Sequence, residues 1–344
     1  MSRLAELLAA RLYAQLLAGP PADSVVDVVR RLLAVHAQDP RGARLAIRAR
    51  SAGLSARDID EALSVDRSLV ISSLNRGTLH LVRSEDYWWL RDLTTPQLMA
   101  GAMRRLEIEQ VSGEAADRGV AAIERALADH GPLTRDQLRQ QLSGADVATA
   151  GQRLMGLIFL ATVRGLIVRG PMVGRNQAFV RVADWLGPAP VPTDRSTALG
   201  ELARRYLAAH GPATDADLAK WAGITLGNAR RGLTEISSQL VERDDGLAAL
   251  ADRSGHTQLP PPRLLGSFDP SLFGWISREP IIGHHQSVVT ANAIFRPFAM
   301  VEGRAVATWA LTEGAVVVSP MGPIPAAVTC ALDLDAADVL RFLA

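Results

Sequence analysis

At 344 residues the chain is too long for one compact core, and two to four domains is the natural expectation. With 48% hydrophobic and 21% charged residues it is globular, and a net charge of +1 announces no polyanionic partner by its sum. The single cysteine, Cys330, excludes internal disulfides, cysteine zinc sites and iron–sulfur clusters.

No apolar run approaches the roughly 18–20 residues of a membrane span. Residues 1–20 interleave Leu and Ala with Arg and Glu, unlike a signal peptide. A cytoplasmic monomer with no membrane partner is expected. Lys220 is the only lysine, so arginine carries the positive charge. Its planar fork of donors suits phosphates and base edges. A GC-rich coding bias explains the same composition equally well.

In chain order, Ser2 to Leu17 reads as an amphipathic helix ended by Gly19-Pro20-Pro21. Asp23 or Ser24 caps a second helix through Leu33, with Val26, Val29, Leu32 and Leu33 at helical spacing. It runs into Ala34-Val35-His36-Ala37-Gln38-Asp39-Pro40, where the proline is expected to stop it. An imidazole, a carboxamide and a carboxylate crowd together there. A helix from Ala43 to Ala49 follows, with Arg41, Arg44, Arg48 and Arg50 on or beside it. Ser55 caps Arg57 to Leu63, and Asp66 opens a fourth helix, Ser68 to Asn75. Gly77 stops it, and Thr78 to Val82 is strand-like. Short helices followed by a β-ribbon make a helix-turn-helix with a wing.

An internal repeat comes next. Leu127 to Leu138 resembles Leu207 to Leu218. Each copy runs through His-Gly-Pro (His130-Gly131-Pro132 and His210-Gly211-Pro212) to a threonine, Thr134 or Thr214, that N-caps a short helix. Both histidines fall where a cation caps a helix C-terminus. After the first copy, Gly151 to Val163 is a helix, Leu166 to Val168 a strand, Arg169 to Arg175 a turn and Ala178 to Val182 a return strand. An arginine-tipped hairpin is expected of a DNA-touching wing. The helix carrying Leu154, Leu157, Ile158, Phe159 and Leu160 is too apolar to read a major groove. After the second copy come a helix, Leu226 to Ser237, with Arg230 and Arg231, and a hairpin around Asp244-Asp245-Gly246.

From Pro260-Pro261-Pro262 the composition changes. Leu264 to Pro270 leads into Phe273-Gly274-Trp275. Pro297 to Val301, Ala305 to Leu311 and Ala315 to Val318 alternate as strands, and a helix from Asp335 to Leu343 closes the chain. The expected fold class is α+β, mainly α: three tandem winged-helix domains and a C-terminal antiparallel β-domain. The divisions fall at 1–100, 101–187, 193–258 and 259–344. Tandem winged helices favour nucleic acid as partner, although such modules also bind protein.

Four stretches together resemble a known family: His36-Ala37-Gln38-Asp39-Pro40; Asn75-Arg76-Gly77-Thr78-Leu79-His80-Leu81-Val82; Leu264 to Pro270 with Gly274; and Val301-Glu302-Gly303-Arg304 with Thr308-Trp309. In series they are similar to the AlkZ/YcaQ-type winged-helix DNA glycosylases, across essentially the whole chain. The resemblance implies three winged helices and a β-domain that form a concave DNA-binding channel. It implies excision of bulky or crosslinked N7-alkylated purines from double-stranded DNA. The family's motif is usually Gln-x-Gln, or Gln-x-Asp in the YcaQ branch. Here His36 and Gln38 stand at those positions, which resembles a His-x-Gln branch linked to self-resistance against DNA-alkylating natural products. The family does not use the residue after the motif, here Asp39, as its carboxylate.

The chemistry suits these residues. An N7-alkylated guanine carries a positive charge, so the leaving base needs no protonation. The protein must position a water, stabilise an oxocarbenium-like sugar and hold the lesion. His36 and Gln38 can orient a water, and a neutral imidazole can accept its proton. Residues i and i+2 diverge by about 200° on a helix but share a face in an extended segment. Since a residue before proline disfavours the α region, Asp39 should stay extended. The bland alternative is a helix end with a half-buried histidine and turn residues.

A bifunctional glycosylase needs an amine for a Schiff base. Lys220 reads as a solvated helix residue, so a monofunctional enzyme that leaves an abasic site is expected, with no cofactor. Arg41, Arg44, Arg76, Thr78, His80, Arg169, Arg175, Arg230 and Arg231 are the candidate DNA-binding residues. Asp269 reads as a turn cap rather than a chemical group. Trp88 and Trp89 read as core. His284-His285 lacks a third ligand, so no metal is expected. The alternative function is a non-catalytic winged-helix transcription regulator.

Overall fold

The computed structural model describes residues 2–143, 149–241, 243–253, 258–284 and 287–344. They form two compact units, Met1–Asp60 with Arg195–Ala344, and Glu61–Asp194. The class is α+β and mainly α.

The first unit opens with α1 (Arg3–Ala14) and α2 (Val25–Leu32), N-capped by the hydroxyls of Ser2 and Ser24. Then come β1 (Val35–His36) and α3 (Pro40–Arg48). Pro40 does not stop an incoming helix, because α2 already ends at Leu32 with Leu33 in a positive-φ conformation (+64°). It starts a helix instead. In the first turn its fixed φ is suitable and its missing N–H would have had no partner. The next helix, α4 (Ala56–Ser64), crosses from the first unit into the second.

The second unit contains β2 (Leu69–Leu74), a 3₁₀ turn at Asn75–Gly77, β3 (Thr78–Arg83), α5 (Ser84–Thr94), α6 (Pro96–Ile108), α7 (Gly113–His130) and α8 (Arg135–Leu142). It continues with α9 (Arg153–Val163), β4 (Ile167–Val173), β5 (Asn176–Arg181) and α10 (Val182–Trp185). Within it the strand order is β3-β2-β4-β5, antiparallel throughout. The helix expected over Ser68–Asn75 is therefore the strand β2. Its Leu-Val-Ile-Ser-Ser-Leu run is buried at every position, and β-branched residues suit a strand enclosed on both sides. Helix α9 lies in the core with Leu154, Leu157, Ile158 and Leu160 buried, consistent with its apolar sequence.

The wing also differs from its predicted boundaries. Strand β4 runs through Arg169 to Val173, and the reversal lies at Gly174-Arg175. Gly170 and Pro171 are accommodated where the β4–β5 register shifts between Arg169 and Met172. Arg169 thus sits in the body of a strand, and Arg175 alone marks the tip.

The first unit resumes with α11 (Arg195–His210), α12 (Asp215–Ala222), α13 (Leu226–Glu235), β6 (Leu240–Val241) and β7 (Ala249–Leu250). The repeat is visible in both halves. Thr134 and Thr214 form capping boxes with Gln137 and Asp217. Leu133 bridges to Phe179 and Ala213 to Ala248, so in each copy the turn after His-Gly-Pro joins its own hairpin.

The C-terminal part contains β8 (Arg263–Leu265), α14 (Glu279–Ile282), β9 (Phe298–Val301), β10 (Arg304–Thr312), β11 (Ala315–Pro320) and α15 (Ala326–Leu343). Its sheet has the order β11-β10-β9-β8. The closing helix begins at Ala326, earlier than its sequence start signal. Of the four predicted modules, the first is divided between the units: α1 to α3 belong to one, β2 and β3 to the other.

Candidate active site

His36 and Gln38 lie in the extended segment between α2 and α3. No helix passes through Gln38, which meets the backbone requirement derived above. His36 is buried, at 5% exposure, and Gln38 is exposed. Asp39 N-caps α3: its carboxylate accepts from the Arg41 N–H at 3.0 Å and from the Ser267 hydroxyl. Each oxygen of that carboxylate thus accepts one structural hydrogen bond.

The wall facing His36 comes from the segment 266–273. Its imidazole lies against Phe273, ring centroids 3.9 Å apart and planes 33° from parallel, with Phe268 at 6.5 Å. Phe295 packs on both phenylalanines, at 4.5 and 5.1 Å, and the Arg278 guanidinium caps Phe273 and Phe295 at 5.6 and 5.2 Å. Burial lowers the pKa of that guanidinium. Phe268 adopts φ +56°, a conformation a bulky side chain rarely takes. The approach is backbone to backbone. A Cβ on Gly42 would lie 2.2 Å from the Ser267 carbonyl oxygen, so only glycine lets the first turn of α3 rest on this segment.

A buried polar network holds the segment from behind. Arg50 and Asp269 are wholly buried and joined bidentately at 2.8 and 2.9 Å. The remaining N–H groups of Arg50 donate to the Gln15 backbone carbonyl, the Ala46 carbonyl and Gln15 Oε1. That last bond orients the Gln15 amide, whose Nε2 donates to His210 Nδ1 at 2.9 Å and to the Pro270 carbonyl at 3.3 Å. The His210 proton therefore sits on Nε2, among the rings of Tyr206, Trp221 and Trp275. Burial, with Arg50 and Arg11 adding to it, pushes the His210 pKa down to about 3. The expected cationic helix cap is thus a neutral core histidine; its repeat counterpart His130 remains exposed.

Arg48 is likewise internal. It binds the Asp335 carboxylate at 2.7 Å and the Leu264 carbonyl at 3.3 Å, tying α3 to α15 and β8. Only Arg41 and Arg44 of this group reach toward solvent, and Arg44 pairs with Asp60.

The other predicted residues are distributed as follows. Arg230, on α13, pairs with Asp215 at 2.7 Å, and Arg231 bonds Ser196. In the second unit, Arg76 occupies the 3₁₀ turn with φ +52°, and the Thr78 hydroxyl donates to the Asn75 carbonyl at 3.4 Å. His80 is 2% exposed, and burial holds its pKa down to about 3, so it offers no cation to a phosphate. Lys220 lies on α12 with its amine 3.5 Å from the Ile276 carbonyl. Among the described residues no group of three or more His, Cys, Asp or Glu could hold a metal; His285 lies outside them. None of their helices is long and apolar enough to cross a membrane. The phenylalanine wall escaped sequence reasoning, although Phe268-Asp269-Pro270 and Phe273-Gly274 were its visible signal.

The arrangement places an immobilised imidazole and an exposed carboxamide at the start of a helix, in a chain built from helix–hairpin repeats. Helix–hairpin repeats of this kind are the plan of a winged-helix protein. The sequence profile of the family described as "DNA glycosylase AlkZ-like" matches residues 29–342, and the chain belongs to that family. It is 26% identical over 376 aligned residues to an "Interstrand DNA cross-link repair glycosylase" of Streptomyces sahachiroi, covering 98% of this chain and 95% of the relative. Its fold is similar to the solved Streptomyces sahachiroi DNA glycosylase AlkZ, with TM-score 0.82, 24% identity, and 99% of this chain and 96% of the other covered. The chain is a DNA glycosylase, which hydrolyses N-glycosyl bonds, and DNA is its substrate.

Proposed function

We propose that this glycosylase is monofunctional and excises N7-alkylguanine adducts, bulky ones included, by water attack at the anomeric carbon. The observation that carries the reading is the extended His36-Ala37-Gln38 segment, with His36 pinned by Phe273 and Gln38 exposed beside it. N7 alkylation makes the base a good leaving group. What the site must supply is a positioned water and a proton acceptor, and an imidazole with a carboxamide supplies both. The S. sahachiroi relative is named for interstrand cross-link repair, which supports crosslinked guanines as further substrates of this chain. A role in self-resistance to an alkylating natural product fits the same chemistry. The single lysine, Lys220, has its amine 3.5 Å from the Ile276 carbonyl, which is in keeping with a monofunctional enzyme.

Duplexes carrying N7-methylguanine or a bulky N7 adduct, incubated with the protein and then cleaved at abasic sites with alkali, test the reading. The wild type should yield abasic sites and give no borohydride-trapped adduct. His36→Ala and Gln38→Ala should each slow single-turnover excision by about 10²-fold, the usual worth of a positioned acid–base group. Duplex affinity should change less than twofold. Unchanged excision in both variants would refute the site; borohydride trapping would refute the monofunctional chemistry.

A further inference from the structure

The hairpin β4–β5 carries a feature that excision chemistry does not use. Against it lies a cavity of about 260 Å³, lined by Thr134, Arg135, Asp136, Arg169, Asn176 and Gln177, with Phe179 and Met155 as its apolar wall. The Arg169 guanidinium stacks on Phe179, 4.4 Å from the ring centroid. A stacked guanidinium engages through its face and leaves its in-plane N–H donors available. Among the described residues no carboxylate pairs with Arg169, and no side chain or carbonyl accepts from it. Its charged neighbour is another guanidinium, Arg135, and burial together with that repulsion lowers the Arg169 pKa.

The single carboxylate of the cavity does not balance this charge. Asp136 is engaged by Arg139 at 2.8 Å and lies 3.7 Å from Arg135. Two guanidiniums, Arg135 and Arg139, therefore share that one carboxylate, and among the described residues no carboxylate is paired with Arg169. A half-buried guanidinium beside a like charge is costly unless an anion neutralises it. The neighbouring helix α9 packs its apolar residues into the core and is not presented as a base-reading helix. What a winged helix without an available recognition helix can still do is grip the sugar–phosphate backbone.

We propose that the cavity between Arg169 and Arg135 is a seat for one phosphodiester group of the DNA backbone. Arg169 supplies a fork of donors pre-aligned by Phe179, Arg135 a second charge, and Asn176 an exposed amide at the rim. The seat rests on the reading of the chain as an enzyme of duplex DNA. It is independent of which base is excised.

The test is binding of undamaged duplex, lacking terminal phosphates, to the full-length protein, followed by fluorescence anisotropy over a range of NaCl concentrations. Arg169→Gln should weaken binding across sequences and lower the slope of log Kd against log salt by about one, the signature of one lost phosphate contact. Arg169→Lys, which keeps the charge, should retain the slope. Arg135→Gln should lower it as well; that side chain is 53% exposed, so its loss leaves the core intact. A scan of single methylphosphonate linkages should find a position whose neutralisation weakens the wild type and leaves Arg169→Gln unaffected. Equal slopes for wild type and Arg169→Gln, or equal methylphosphonate penalties at every position, would overturn the seat. Displacement of duplex by inorganic phosphate at constant ionic strength, lost in Arg169→Gln and without a position-specific methylphosphonate effect, would assign the cavity to free phosphate instead. Wild-type excision of N7-methylguanine, run in parallel, reports on the glycosylase reading separately. Its failure would leave the binding slopes free to decide the cavity.

Discussion

His36 has less freedom than its chemistry would require in water. An imidazole directs its two nitrogens along fixed lines in the ring plane, so fixing the plane fixes where a bound water can stand. Phe273 does this at 3.9 Å, with Phe295 behind it and Arg278 above. A carboxamide, which the family resemblance places at this position more often, turns about its own terminal bond and needs no ring partner. Phe273→Leu should therefore slow single-turnover excision on the order of tenfold, since small misplacements of a catalytic group are costly. Phe273→Tyr, which keeps the ring, should stay near wild type. In a His36→Gln background the Phe273→Leu cost should shrink, because the stack it removes no longer serves an imidazole. A double-mutant cycle reads that coupling directly. Equal costs in both backgrounds would reduce Phe273 to packing alone.

Helix α3 shows why arginines counted along a sequence mislead. Arg41 and Arg44 point outward, whereas Arg48 and Arg50 turn in to meet Asp335 and Asp269, and all four share one sequence neighbourhood. The Arg50–Asp269 pair fixes the segment that carries Phe268 and Phe273. Asp269→Ala would leave the Arg50 guanidinium buried without its counter-charge. A loss of about 3–5 kcal/mol in urea denaturation is expected, the usual cost of breaking a buried pair. A loss below about 1 kcal/mol would mean that the guanidinium finds solvent. Local signals were legible in advance: the extended segment before Pro40, the threonine caps of the repeat and the burial of α9. Two kinds of information were not. The run Leu69-Val70-Ile71 fits a helix or a buried strand equally by periodicity, and only pairing with β3 and β4 decides it. The partners of His36 lie more than 200 positions away, at Phe268, Phe273 and Phe295, where no spacing rule links them to the motif.

Across the molecule, each unit buries one histidine whose pKa is pushed down to about 3: His210 in the first, by burial with Arg50 and Arg11, and His80 in the second, by burial with Arg76. Both are neutral when folded and titrate near 6.5 when unfolded. Between those values the unfolded chain binds a proton at each site that the folded chain does not. Stability therefore rises with pH across that window. The stabilisation from keeping each ring neutral is fully present above about pH 6.5 and is lost as the pH falls toward 3. Each site contributes about 1.4 kcal/mol per pH unit to the slope. His210→Gln retains an acceptor for Gln15 but cannot titrate, and should reduce proton uptake on unfolding at pH 5 by about one. His80→Gln should do the same in the second unit. Urea denaturation at intervals from about pH 4.5 to 7 measures both slopes. If neither substitution flattens the profile, the acid sensitivity of the folded enzyme arises from groups other than these two imidazoles.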